Sequence, residues 1–100
     1  MPGYKPVAQR RPSSRAVFTI REVDHRHQKN GVKSATLRCT TSVNGVDMPF
    51  NVFVNGGNYD RMVPFMYIGR SLMLEGVYSQ NNTFVCKKVI EDVTEQSQAA

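Results

Sequence analysis

The chain has 100 residues, of which 40% are hydrophobic, and its 13 basic and eight acidic side chains give a net charge of +5. This length fits one small domain and excludes a large buried pocket with its own scaffold. No apolar stretch reaches the roughly 18 residues that a membrane-spanning helix needs, and the N-terminal segment lacks the apolar core of a signal peptide. We therefore expect a single intracellular domain.

The first 15 residues differ from the rest in charge. They hold four cations, three prolines and no acid, whereas the other 85 residues hold nine basic and eight acidic side chains. The segment thus contributes +4 and the remainder +1. We predict a flexible basic arm over residues 1–15, a folded domain over 16–94 and a short disordered tail over 95–100. Arg10 and Arg11 are candidate phosphate contacts, and the alternative is a solubilising leader.

A first strand is predicted from alternation in "AVFTIREV", residues 16–23. Ala16, Phe18 and Ile20 fall on one side, and the other side carries Val17, Thr19, Arg21 and Val23. The polar loop "DHRHQKNG" follows and leads to Lys33. The loop cations Arg26 and Lys29 are candidate phosphate ligands, and so are Arg21 and Lys33 beside the loop. The pair His25 and His27 lacks converging Cys or carboxylate partners, so we predict polar or stacking roles and no metal site.

A β-hairpin is predicted over residues 34–54, around Asn44-Gly45, a dipeptide that favours a type I′ turn. A two-residue turn fixes the register, so that the numbers of paired residues add up to 89. One face then carries the pairs assigned to the core: Val43 with Val46, Thr41 with Met48, Cys39 with Phe50, Leu37 with Val52 and Ala35 with Val54. The other face pairs Arg38 with Asn51 and Thr36 with Phe53.

Phe53 is unusual because it lies on the polar side of this hairpin. Its small neighbour Thr36 leaves room above the ring, and an exposed aromatic ring can stack on a nucleobase. We interpret Phe53 as a stacking platform. The alternatives are that it packs under the N-terminal arm or within a dimer interface.

The second half of the chain predicts a short helix from Tyr59 to about Met66, interrupted by Pro64, over one end of a barrel. A fourth strand lies in "RSLMLEGVYS", where Gly76 indicates a bulge or a bend at a barrel corner. The last strand lies in "TFVCKKVIEDV". Cys39 and Cys86 both fall within strands, and we expect core thiols without a disulfide.

The element order predicts an all-β fold: a five-stranded OB-fold barrel with a short helix between strands 3 and 4. Three segments, "NGVKSATLRC", "PFNVFVNG" and "YIGRSLMLEGVYS", then resemble successive blocks of bacterial single-stranded DNA-binding proteins, over residues 17–93. The chain departs from that family because it has no tryptophan and no acidic, phenylalanine-terminated tail. A short OB chain without such a tail is also similar to bacterial primosomal replication protein N and to small phage or plasmid single-strand binders.

The resemblance implies sequence-tolerant binding of single-stranded DNA in replication or recombination, by base stacking and phosphate contacts. Tyr78 and Phe84 flank the loop between strands 4 and 5, and each either stacks on a base or lies in the core. Tyr67 is expected to pack near the helix end, and Tyr59 and Arg61 are secondary candidates. The candidate nucleic-acid ligands are Arg10, Arg11, Arg21, Arg26, Lys29, Lys33, Arg38, Phe53, Tyr78, Phe84 and Lys87.

Two other functions compete with this one. The nearly neutral body and the missing tryptophan favour a protein–protein adaptor of a replication complex, which would need an apolar outer patch such as Val17, Val23 and Phe53. An RNA-binding OB domain ranks third. No phosphate-binding loop or nucleophile elbow occurs, so we predict neither an enzyme nor a cofactor. Exposed strand edges favour a homodimer, and we expect a cytoplasmic location, in a bacterium or in the host of a phage.

Overall fold

A computed structural model describes residues 13–27, 31 and 33–95. The strands close into a barrel in the order β1-β2-β3-β5-β4, in which β3 and β5 run parallel. This confirms the five-stranded barrel with one short helix between β3 and β4. No helix in the described residues has the length and apolar character needed to cross a membrane. The elements are β1 (Ser14–His27), β2 (Lys33–Val43), β3 (Val46–Asn55), α1 (Gly56–Met62), a 3-10 turn (Val63–Phe65), β4 (Ser71–Ser79) and β5 (Thr83–Asp92).

The β2–β3 hairpin has the predicted register at every pair. Val43 lies opposite Val46, and the pairing continues to Ala35 and Val54, with one further pair beyond. Asn44 and Gly45 have φ values of 53° and 81°, the left-handed pair that a type I′ turn requires. Turn chemistry and hydrophobic alternation therefore determine the register together.

The first strand is longer than predicted at both ends. Ser14 and Arg15 pair with Gly76 and Glu75 on β4, so they belong to the barrel and not to the arm. The register with β2 shifts between Ile20 and Glu22, which marks a bulge. The bulge reverses the alternation beyond it, because one residue is left without a partner.

The outward position predicted for Val23 was therefore wrong. Val23 lies opposite the core residue Leu37 and packs against the core. The rest of the predicted arm, residues 1–12, and most of the predicted tail lie outside the described residues.

The helix α1 covers one end of the barrel. It begins at Gly56, three residues earlier than predicted, and continues as a 3-10 turn where Pro64 follows. Tyr59 and Met62 are buried beneath it, and the Tyr59 hydroxyl lies 2.9 Å from Nδ1 of His25 on β1. His25 thus contacts the helix that covers the barrel.

The barrel closes tightly at Gly76 on β4. A Cβ atom at this position would overlap the carbonyl oxygen of Val85 and lie 3.0 Å from Cε2 of Phe84. The β4–β5 register shifts between Glu75 and Gly76, which confirms the predicted bulge. Only glycine allows β5 to approach β4 so closely here.

Replacing Gly76 with alanine is expected to lower the free energy of unfolding by about 2 kcal/mol or more, because backbone atoms must move to accept the methyl group. Gly57 is the matched control: it has no positive φ, and an added Cβ meets only Nη1 of Arg61, at 3.9 Å. Gly57→Ala should leave stability unchanged or raise it by about 0.5 kcal/mol, because alanine favours helix. Urea denaturation measures both, and equal effects would contradict the close approach.

Both cysteines are free, buried thiols, as predicted. Burial raises the pKa of Cys39 to about 12 and that of Cys86 to about 11, from an ordinary 9.0. Each thiol donates a long hydrogen bond to a backbone carbonyl, at 3.7 Å. The folded barrel therefore holds the thiols protonated where the unfolded chain ionises them.

The raised thiol pKa values predict a loss of stability in alkali. The contribution is fully present below pH 9, and it is lost as the pH rises toward 11–12, because the unfolded state releases its protons first. We expect the free energy of unfolding to fall by about 2 kcal/mol between pH 8 and pH 10 from these groups. Urea titrations at both pH values measure it. The Cys39→Ala/Cys86→Ala variant should show a smaller decrease, and an equal decrease would refute the assignment.

Candidate nucleic-acid interface

The predicted polar side of the hairpin forms an exposed surface, which we call the outer face: Thr36, Arg38, Asn51 and Phe53. Arg38 lies opposite Asn51, and Thr36 lies opposite Phe53. Arg38 and Asn51 are exposed, whereas Thr36 and Phe53 are half-buried. The Phe53 ring therefore lies on the surface beside a small neighbour, as the sequence predicted.

The outer face lies between two connections of the barrel. The backbone N–H of Asn51 donates a hydrogen bond to the backbone carbonyl of Asn82 at 2.8 Å, so the β4–β5 turn lies beside one end of the face. At the other end, Ser34 pairs with Asn55, next to the point where the β1–β2 loop enters β2 at Lys33. A chain lying across the face would therefore run from the β4–β5 turn toward Lys33 at the start of β2.

Two arginines, Arg38 on the outer face and Arg26 beside it on β1, are paired with carboxylates. Arg38 Nε lies 3.3 Å from Glu22 Oε1, and Arg26 Nη2 lies 3.0 Å from Asp24 Oδ2. All four side chains are more than half exposed, and such pairs contribute only about 0–1 kcal/mol. A phosphate group can therefore replace either carboxylate at small cost.

A groove of about 460 Å³ runs beside the outer face, between β1 and the segment that follows the 3-10 turn. Ile68 forms one of its walls and is 69% exposed. Its neighbour Tyr67 is 62% exposed, which corrects the expectation that Tyr67 packs near the helix end. The hydrogen bond from Gly69 N–H to the Ile20 carbonyl, 2.8 Å, holds this segment against β1.

Another groove, about 850 Å³, lies between the first half of β1 and the β2–β3 hairpin. Phe50 and Tyr78 line it together with Arg21, which is exposed at the β1 bulge. Tyr78 is 42% exposed, and its ring makes edge-to-face contacts with Phe50 and Phe84, with centroids 5.7 Å and 4.9 Å apart. These two ring contacts anchor Tyr78 at the edge of the aromatic cluster.

Phe84 is the site candidate that the structure removes. Its side chain is fully buried, and its ring packs against Phe18 at a centroid distance of 4.8 Å. A ring enclosed in the core has no face for a nucleobase. Tyr78 and Phe84 lie opposite each other across β4 and β5, but Phe84 fills the barrel, and Tyr78 lies at its open end.

The other predicted cations are spread over the barrel. Lys33 is exposed at the start of β2, and both Lys87 and its neighbour Lys88 are exposed on β5. Regular strand alternation would place these two lysines on opposite sides, and the register shift between β4 and β5 explains why both are exposed. The candidates Arg10, Arg11 and Lys29 lie outside the described residues.

The tip of the hairpin was assigned to the core and is exposed. Val43, Val46 and Met48 are 46%, 58% and 40% exposed. The β1–β2 pairing begins at Thr40, and the β3–β5 pairing begins at Asn51, so the tip extends beyond both neighbouring strands. The sequence predicted the register of the hairpin but not how far the neighbouring strands extend.

No protein-family model and no curated protein matches this sequence. Among solved structures, two of the protein PriB from Ralstonia solanacearum, at 1.8 Å and 2.3 Å resolution, are similar in fold. Their TM-scores are 0.63 and 0.62, and their sequence identities are 13% and 14%. The alignments cover 79% of this chain and 95% and 96% of those chains. At such identities the similarity concerns the fold, and it agrees with an OB-type barrel.

Proposed function

We propose that this protein binds single-stranded DNA without reading its sequence, in replication or recombination. The observation that carries the proposal is the outer face, where the half-buried Phe53 ring lies beside Thr36, Asn51 and Arg38 and between two connections of the barrel. Aromatic faces for bases and cations for phosphates are the two components of sequence-tolerant single-strand binding.

The similarity in fold to PriB, which is primosomal replication protein N, supports a role in replication. The sequence blocks that resemble bacterial single-stranded DNA-binding proteins point in the same direction. In this proposal Arg38 and Arg26 exchange their carboxylate partners for phosphates. Arg10 and Arg11 of the N-terminal segment add contacts, so that affinity falls steeply with salt. A cytoplasmic homodimer remains part of the proposal.

Removing the Phe53 ring tests the site directly. Phe53→Leu keeps an apolar side chain without an aromatic face, and it should weaken binding of a fluorescent oligo-dT by about 1–3 kcal/mol, the contribution of one stacked base. Phe53→Tyr keeps the ring and is the matched control, expected to bind like the unaltered protein. Fluorescence anisotropy measures both. If Phe53→Leu binds DNA normally, the outer face is not the binding site.

Removing a competing carboxylate should have the opposite effect. Glu22→Gln frees Arg38 from its ion pair and should raise the affinity for oligo-dT, by up to about fivefold, which corresponds to the roughly 1 kcal/mol of an exposed pair. Glu95→Gln makes the same change in net charge at an exposed position outside the described grooves. Equal gains in both variants would mean that only net charge matters, and that Arg38 does not contact the DNA.

A protein–protein adaptor is the second candidate, and the exposed hairpin tip favours it. Val43, Val46 and Met48 form an apolar end beyond the barrel, and exposed apolar groups of this kind commonly contact other proteins. This surface replaces the patch expected at Val17, Val23 and Phe53, because Val23 packs against the core. If neither Phe53→Leu nor Glu22→Gln changes DNA binding, the adaptor function is favoured.

A further inference from the structure

A second basic surface lies where α1 and the 3-10 turn meet β5. Its groove, about 310 Å³, is lined by Arg61, Phe65, Lys87, Lys88 and Val89, which we call the α1–β5 patch. Within the described part of the chain, no acidic side chain lines this groove. Three cations therefore surround a half-buried aromatic ring.

The β5 bulge creates the patch. Cys86 pairs with Gly76 and Lys88 pairs with Glu75, so Lys87 has no partner on β4. In a regular strand one of two successive lysines would point into the barrel. Here both are exposed, and two ammonium groups lie on the same surface.

Among the residues that the structure describes, no ion pair joins Arg61, Lys87 or Lys88 to an acid. Glu75 lies opposite Lys88, but its carboxylate accepts a hydrogen bond from Arg15 Nε at 2.9 Å. The Arg61 guanidinium donates to the neutral Asn58 amide oxygen at 3.2 Å. The patch therefore differs from the outer face and the groove beside it, where Arg38 and Arg26 are each paired with an acid.

The patch continues the outer face. Phe53 on β3 lies opposite Val85 on β5, and Lys87 follows two residues later, about 7 Å along the same side of the strand. Because β3 and β5 are parallel, Lys87 lies near the level of the α1 start. The half-buried Phe53 and Val85 and the exposed Lys87 therefore lie along the outward side of these two strands.

We propose that a bound single strand continues from the outer face across β5 into the α1–β5 patch. There Lys87, Lys88 and Arg61 hold phosphates, and the Phe65 ring contacts a base. This inference rests on the proposed function, and it extends the binding site over a second side of the barrel. An acidic peptide would also suit three cations, but the continuity with Phe53 favours the nucleic acid.

The test compares two lengths of fluorescent oligo-dT, about 8 and about 16 nucleotides, within the range of site sizes for one OB fold. Lys87→Gln/Lys88→Gln should lower the affinity for the long oligonucleotide by about tenfold at 0.1 M salt. It should also lower the slope of log K against log salt by about 1.4, the value for two phosphate contacts of a single strand. The affinity for the short oligonucleotide should not change, because the outer face alone binds it.

Two further variants separate this inference from the proposed function. Phe53→Leu should weaken binding of both lengths. Arg70→Gln removes a charge that is already paired with Asp92, and it should weaken neither length specifically. Thermal denaturation monitored by circular dichroism verifies that each variant is folded.

Several outcomes would overturn the inference. If the lysine variant weakens both lengths equally, the lysines act only through net charge. If it changes neither length while Phe53→Leu weakens both, the strand stays on the outer face and the proposed function survives alone. If poly-glutamate binds the patch, and the lysine variant abolishes that binding without affecting oligo-dT, the patch is a peptide site. If no oligo-dT binds, the proposed function fails together with the inference.

Discussion

The closure of the barrel depends on the contact between β4 and β5 at Gly76. The backbone of Val85 occupies the volume that any larger side chain at this position would need. The close approach and the adjoining register shift bring β5 far enough around to pair with β3 as well as with β4. Without this close approach the sheet would keep two open edges, which would expose unpaired backbone groups.

This constraint also determines part of the surface chemistry. A bulge leaves one residue of the longer strand unpaired and reverses the alternation beyond it. On β5 that residue is Lys87, and the reversal places Lys88 on the same surface. The feature that closes the barrel is therefore also the feature that concentrates positive charge beside α1. Another bulge, on β1, turns Val23 toward the core and leaves Arg21 exposed at the groove between β1 and the β2–β3 hairpin.

Local rules account for what the sequence predicted correctly. Asn44-Gly45 specifies its turn through φ alone, and the period of two then assigns each residue from Ala35 to Val54 to one face. The same register places Phe53 on the polar side of the hairpin, opposite Thr36.

What the sequence could not provide depends on distant strands. The bulges at Arg21 and Lys87 arise from the fit of neighbouring strands. The exposed tip at Val46 reflects where β1 and β5 stop pairing, and no pattern in the hairpin itself encodes that. Phe84 illustrates the same limit, because alternation places it on the face of the core but does not tell how far the core extends toward the open end. There Tyr78 remains 42% exposed although it belongs to the same aromatic cluster.

The distribution of charge suggests how such a small barrel can bind a polyanion reversibly. Arg38 on the outer face and the neighbouring Arg26 each have a nearby carboxylate, so their net attraction for a phosphate is weak. Stacking on Phe53 must therefore supply much of the binding free energy. On the α1–β5 patch no cation forms an ion pair with an acid in the described part of the chain, so attraction there would be largely electrostatic and sensitive to salt. A strand that crosses both surfaces would be held by stacking at one end and by counterion release at the other. Its affinity would then increase with length more steeply than either surface alone allows, because the second contact forms within an already bound complex.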